Sequence, residues 1–259
     1  MQGFHLSDAL GSDLKRLTEK ACSRSLKGSN LVRLNHCEYI RLRKVLSHDP
    51  GDEQDLFKRL AIDLEERGFS IQPASLPDAV SGALARHLDE ISGSRFQKAA
   101  TGRGPHAGPN RFVRRDRIYW LNELDPRVEA WFSWTHRLQD YLNQNLFLGL
   151  FSFECHFARY EKGDFYKRHL DAFRGERNRI VSLVTYLNEG WLPVQGGQLL
   201  LYPEQRETIK VTPELGTVVL FLSEEIPHEV LPAYRNRLGV AGWFRVNTSA
   251  AMDKVEISR

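Results

Sequence analysis

The sequence predicts an α+β chain, with a β sandwich or jelly roll in its C-terminal half and helices packed in front of it. Three observations carry this. From Phe151 onward, short strand-like runs follow one another, each closed by a turn cluster. Before that point, three segments carry apolar residues at helical spacing. The length, 259 residues with 41% hydrophobic and 27% charged content, suits one large globular domain, or one domain with an extension.

In chain order, residues 1–50 come first. They hold nine Lys and Arg against five Asp and Glu and few aromatics. They read as a basic N-terminal extension, a solvated and mobile arm or one with a short helix over Cys37 to Leu46, ending at the turn-rich Asp49-Pro50-Gly51-Asp52. Residues 51–259 form the main domain, with helical support over 51–150 and a jelly-roll core over 151–248. Leu56, Leu60 and Leu64 repeat every four residues and Gly68 follows as a stop, so Asp55 to Arg67 is a helix. Phe69-Ser70-Ile71 is a short strand. Leu76 to Ile91 is a second helix, with Pro77 in its first turn. Residues 101–109 are a Gly/Pro-rich loop, and Ile118 to Leu121 a strand. Asp125-Pro126 opens a third helix reaching about Asn143, with Val128, Phe132, Leu138 and Leu142 inward. The strands of the second half run over Phe153 to Tyr160, Arg179 to Leu187, Gln198 to Tyr202, Thr208 to Val211, Thr217 to Leu222 and Leu238 to Val246.

Composition excludes several classes. A formal net charge of +3 is too mild to argue for a nucleic-acid partner. Three cysteines, Cys22, Cys37 and Cys155, with no C-x-x-C pair, form neither a disulfide framework nor a thiolate zinc site. No secretory leader is visible, and no run approaches the ~20 apolar residues that span a bilayer. The expectation is a cytoplasmic protein in a reducing compartment, with no membrane partner.

One constellation points to chemistry. A non-haem iron oxygenase needs two histidines and a carboxylate on one side of the metal. His169-Leu170-Asp171 offers two of these donors, because residues i and i+2 of an extended strand share a side. His228 offers the third from a strand end far along the chain. The tripeptide alone is weak: nine histidines and 14 aspartates predict roughly 9 × 14/259, or half, an occurrence, and there are two. The other, His87-Leu88-Asp89, falls in the second helix, where its side chains point about 200° apart; it reads as a packing or surface histidine. Nine residues after His228, Arg237 sits in the next strand, where a guanidinium can clamp a dicarboxylate. Such a cation is what 2-oxoglutarate requires when its other end chelates iron. Taken singly, His228 and Arg237 would each be structural more often than not; their joint order is what carries the reading.

Beyond these residues, the stretch from about Arg114 to Val246 resembles the prolyl hydroxylases that act on the hypoxia-inducible transcription factor, and their bacterial relatives. The matching residues are Arg159-Tyr160, His169-x-Asp171, Thr185-Tyr186-Leu187-Asn188-x-x-Trp191, Gly196-Gly197-x-Leu199, Tyr202-Pro203-Glu204, and Pro227-His228-Glu229-Val230-x-Pro232-Ala233-Tyr234 with Arg237 and Trp243. Asp116 to Trp120 matches the strand ahead of the long helix. The resemblance implies a double-stranded β-helix (jelly-roll) core buttressed by N-terminal helices. It implies Fe(II) on His169, Asp171 and His228, and 2-oxoglutarate on Arg237 and Tyr186 with Tyr160 lining the pocket. It also implies Trp243 as a wall of the metal site and Arg179 as a contact for a protein substrate. The reaction would couple hydroxylation of a target proline by dioxygen to release of succinate and CO2, with ascorbate as a candidate reductant. This chain departs in two places: one extra residue between Asp171 and Tyr186, and Ala241 where animal members carry threonine.

The remaining candidates read as structural. Trp131, Trp134 and Tyr141 in the third helix are packing residues, and His156 is a structural histidine. His106 is exposed, and Arg111 to Arg117 is a solvated basic face or a contact for an acidic protein surface. Two rival functions stand beside the prolyl reading. One is the same chemistry on a small molecule or other non-prolyl substrate; the other is a non-enzymatic cupin-like module, which would not need Arg237 or Tyr186. Within the prolyl reading, and for a bacterial source, a translation component such as elongation factor Tu is the favoured substrate by family analogy.

Overall fold

A computed structural model describes residues 50–99, 108, 110–172 and 178–247. The expectations on the arm, its helix, Cys22, Cys37, His106 and most of the 101–109 loop lie outside the described residues. Helix α1 spans Pro50–Arg67, so the Pro-Gly-Asp sequence read as a turn opens the helix instead. Proline suits that place, because its missing N–H falls among those a helix leaves unbonded. Leu56, Phe57, Leu60, Ala61 and Leu64 form the buried stripe of α1. Gly68, at φ 75°, ends it and returns its N–H to the Leu64 carbonyl at 3.0 Å.

Strand β1 (Phe69–Gln72), α2 (Asp78–Glu90), β2 (Gln97–Lys98) and β3 (Arg117–Trp120) follow. The Asp125 carboxylate then accepts from the Arg127 N–H at 3.0 Å and starts a 3-10 turn, Pro126–Val128, that runs into α3, Glu129–Leu146. Phe147, left-handed at φ 54°, stops α3. Val128, Phe132, Leu138 and Leu142 are buried as expected, and so are the stacked Trp131 and Trp134; Tyr141 packs against them, half-buried. Among the described residues no helix is long and apolar enough to cross a membrane.

The second half supplies β4 (Ser152–Tyr160), β5 (Tyr166–His169), β6 (Arg179–Tyr186), β7 (Leu199–Leu201), β8 (Ile209–Val211), β9 (Val218–Leu222), β10 (His228–Val230) and β11 (Arg237–Arg245). They form two antiparallel sheets. The major sheet has the order β1-β9-β6-β11-β4-β3-β2, and the minor sheet β5-β10-β7-β8. Strands β1 to β3, from the helical half, thus extend both edges of the major sheet.

Period-two alternation divides the core. Phe153, Cys155 and Phe157 of β4 and Val218 and Leu220 of β9 pack with the helices. Ala158 and Tyr160, and Val219 and Phe221, join a second cluster with Leu199, Leu201, Val211 and Val230 of the minor sheet. Cys155 is fully enclosed on the helix side, where the Trp131 indole N–H reaches its sulfur at 3.3 Å. Burial pushes its thiol up to about 12. The result is a jelly roll whose major sheet leans on helices with one face and packs on the minor sheet with the other.

Candidate metal centre and anion pocket

His169 closes β5 and His228 opens β10, and the antiparallel register sets one directly across from the other. Asp171 lies two residues beyond the end of β5, in a bend. The expected extended geometry therefore stops at His169. What turns the Asp171 carboxylate inward is the Ser182 hydroxyl of β6, which donates to Oδ2 at 2.7 Å and itself lies 2.9 Å from the Ser223 hydroxyl. One donor atom from each of His169, Asp171 and His228 lies within 4.8 Å of the others. His169 Nε2 is 3.5 Å from Asp171 Oδ1, and His228 Nε2 is 3.6 Å from Oδ2.

Each histidine commits its Nδ1 to the carbonyl two residues before it: Lys167 at 2.8 Å for His169, Ile226 at 3.0 Å for His228. A carbonyl accepts, so Nδ1 carries the proton and the Nε2 lone pair is left to face the carboxylate. Burial pushes His228 down to about 4, keeping it neutral. Burial alone would raise Asp171, but His228 and His169 whenever they are protonated, and the Ser182 hydroxyl throughout, outweigh it and favour the ionised carboxyl. Neutral imidazoles and an ionised carboxylate are the states that bind a divalent cation. Two nitrogens and one oxygen gathered at one point are the donors that would hold Fe(II) in a non-haem iron centre.

A second group lies deeper, at the start of β11. Arg237 is 3% exposed and pairs in register with Tyr160. Its Nε donates to the Gly197 carbonyl at 2.8 Å, and its guanidinium lies over the rings of Tyr160 and Tyr186 at 4.8 and 4.9 Å. Among the described residues no carboxylate pairs with it. The Tyr186 hydroxyl is buried beside it without a geometrically sound hydrogen bond. Burial pushes both phenols up, Tyr186 to about 12. An enclosed cation without a counter-ion and an enclosed phenol without a partner are both costly, and one carboxylate would satisfy both. Gly197, at φ 67°, leaves the room: a Cβ there would come within 3.1 Å of Arg237 Cδ.

Arg179 and Trp243 lie together at the other end of these strands. The Arg179 guanidinium is 3.8 Å from the Trp243 ring and donates to Glu154 Oε1 at 3.0 and 2.7 Å, while Arg245 takes Glu154 Oε2 at 3.0 Å. Trp243 pairs in register with Ser182, the residue that holds Asp171. Its indole N–H is buried without a hydrogen-bond partner among the described residues, and His156 and the half-exposed Trp120 flank its ring.

Three features lay beyond the sequence reading. The Ser182–Ser223 pair had a signal: a serine inside the apolar run Ile180-Val181-Ser182-Leu183-Val184, on the strand face of Tyr186. Glu154, shared by two arginines, had none. The third is a correction. Arg111 to Arg117 is not simply a solvated face, because Arg114 and Asp116 form a two-bond ion pair at 2.7 and 2.6 Å, with Asp116 enclosed. His87 packs among Tyr119, Phe157 and Asp125 on α2, as its helical setting predicted, and His156 is enclosed and neutral, pushed by burial down to about 4.

Comparison with known proteins bears on the same residues. Residues 155–245 match the 2OG-Fe(II) oxygenase superfamily. A prolyl-4-hydroxylase of Pseudomonas putida is 40% identical, with a TM-score of 0.67 over 74% of this chain and 99% of that one. A prolyl hydroxylase of Trichoplax adhaerens, solved with a peptide fragment of a hypoxia inducible factor oxygen degradation domain, is 27% identical, with a TM-score of 0.69 over 79% and 94% of the two chains. Human Egl nine homolog 1 is 29% identical over 153 residues, 56% of this chain and 36% of the relative. The chain thus spans little more than a third of the length of the curated relatives it matches, or less.

Proposed function

Since the chain belongs to the 2OG-Fe(II) oxygenase superfamily, as a dioxygenase of the prolyl hydroxylase type, we propose that it hydroxylates a prolyl residue in a protein substrate, with succinate and CO2 as coproducts. The observation that carries the reading is the pairing of a His-Asp-His donor set with an enclosed guanidinium that no carboxylate among the described residues pairs with. A metal module without turnover has no use for the second feature. We assign His169, Asp171 and His228 to Fe(II), and Arg237 with the Tyr186 hydroxyl to the far carboxylate of 2-oxoglutarate. Tyr160 lines that pocket. Arg179 and Trp243 are assigned to the substrate side.

Iron, cosubstrate and dioxygen together supply oxidative decarboxylation coupled to transfer of one oxygen atom to a substrate C–H bond. The chain does the rest. The two Nδ1–H···O=C bonds keep both imidazoles in the metal-binding tautomer, and Ser182 aims the carboxylate. Arg237, fixed at Gly197, decides which end of the dicarboxylate lies deep and which meets the triad. The Trp243 indole gives a prolyl ring an apolar wall and narrows the access of water. Ascorbate is the reductant to include in assays, and the cytoplasm is the compartment we infer.

Mass spectrometry of a host lysate treated with the loaded enzyme tests the substrate, with elongation factor Tu as the first protein to inspect. The expected result is a gain of one oxygen on prolyl peptides that vanishes without 2-oxoglutarate. Succinate production with prolyl peptides unchanged would transfer the chemistry to a small molecule or another residue.

A further inference from the structure

The two imidazoles of the triad are held in their planes by different parts of the chain. His228 is enclosed and leans on Phe221, with ring centroids 4.6 Å apart. His169 sits at the rim and depends on Tyr166: the rings are stacked at 3.5 Å and 15°. The Arg114 guanidinium lies 4.2 Å from the centre of that Tyr166 ring. Two groups so close to one centroid must occupy opposite faces, so Tyr166 is sandwiched between cation and imidazole. Asp116 grips the guanidinium with both oxygens, at 2.7 and 2.6 Å, and is 1% exposed.

The backbone ties the same two segments together. Arg114 bridges to Tyr166, and the Arg115 N–H reaches the Phe165 carbonyl at 3.0 Å. The Lys167 N–H reaches the Val113 carbonyl at 2.8 Å. Lys167 is also the residue whose carbonyl accepts from His169 Nδ1. The segment around Arg114 therefore braces both restraints on this ligand: the carbonyl that selects its tautomer and the ring that fixes its plane. The terminal torsion of a histidine is otherwise broad, and a partly exposed imidazole would lose its aim.

We propose that Asp116, Arg114 and Tyr166 form a positioning column for His169, setting the metal affinity of the triad from residues that do not ligate. This rests on the metal reading of the triad and deepens it. Arg114 contributes a held plane through its cation–π contact. Asp116 does two things: it fixes the guanidinium, and it cancels a positive charge that would otherwise repel a divalent cation one ring away.

A titration of the full chain with Mn(II), followed by the electron spin resonance of the free ion and without cosubstrate, tests this apart from turnover. Tyr166→Leu should weaken Mn(II) binding about 10- to 100-fold, the range for groups that orient a ligand, whereas Tyr166→Phe, which keeps the stack, should stay within about 2-fold. Arg114→Lys and Asp116→Asn should fall between, roughly 3- to 10-fold, with melting temperatures of the metal-free variants recorded alongside. If Tyr166→Leu does not fold, Arg114→Lys, which keeps the charge without the fork, decides. Wild-type affinity in a folded Tyr166→Leu or Arg114→Lys overturns the column and leaves the triad standing. A Tyr166→Phe as weak as Tyr166→Leu also overturns it, by giving the role to the hydroxyl. No Mn(II) binding by the unaltered chain overturns the metal reading and the column together.

Discussion

The triad's histidines stand on the minor sheet and Arg237 on the major sheet, and the two groups are prepared for ligands in opposite ways. At the triad every donor is already restrained: two imidazoles on backbone carbonyls, one carboxylate on a serine. One ionised carboxylate faces two neutral rings, and each of the three groups is held by a hydrogen bond. Around Arg237 the reverse holds. A full positive charge is enclosed between two tyrosine rings with a carbonyl as its hydrogen-bond acceptor, and the phenol beside it is unsatisfied. On the proposed assignments, the metal end would gain its affinity from geometry set in advance, and the cation end from an electrostatic deficit that an incoming carboxylate would remove.

The comparison can be broken most sharply at the triad. His169→Ala or His228→Ala should abolish succinate formation, read by NMR, while the far-ultraviolet circular dichroism and the melting curve stay near wild type. Loss of the fold in both would mean the histidines are core residues rather than ligands. Arg237→Met comes next. Losing a charge-assisted contact should raise the 2-oxoglutarate requirement about 10- to 100-fold. Without cosubstrate the same variant should melt at or above the wild-type temperature, because an enclosed unpaired charge has been replaced by an apolar chain of similar size. A clear fall in melting temperature would show that the cation is satisfied in the free protein.

The pH response follows in size. His156 is held neutral at about 4 against an unfolded value near 6.5. Between those values the unfolded chain binds more protons than the folded one, so this contribution is complete above about pH 6.5 and is lost as pH falls toward 4. His156→Phe should flatten the melting-temperature slope in that window, and an unchanged slope would assign acid sensitivity elsewhere. The smallest effect belongs to Tyr186→Phe. Removing an unsatisfied hydroxyl should leave cosubstrate-free stability within about 0.5 kcal/mol and raise the 2-oxoglutarate requirement only several-fold. Equal losses at Tyr186 and Arg237 would mean that the phenol, not the cation, governs binding.

Much of this was legible from residue order. Leu56, Leu60 and Leu64 announce the buried stripe of α1, and the alternation of β4, β6 and β9 announces two-faced strands. His169, Asp171, His228 and Arg237 stand out because their types and order match one chemistry. What was not legible depends on contacts between distant segments. Nothing in Phe69 to Gln72 says that it will pair with β9, and three-residue β10 is too short to show alternation. Arg114 and Asp116 read as solvated because charges normally are; only the folded chain shows one neutralising the other beneath Tyr166. Asp171 was expected to join the two histidines by strand geometry, and joins them through a bend steered by Ser182.

Cys155 lies on the far side of β4 from the space between the sheets, sealed under Trp131 with its thiol near 12. Oxidants attack the thiolate, and at cellular pH this sulfur holds almost none. Chemistry that brings dioxygen to ferrous iron carries its own oxidative hazard, and the Cys155 sulfur is kept inert by a wall of helices.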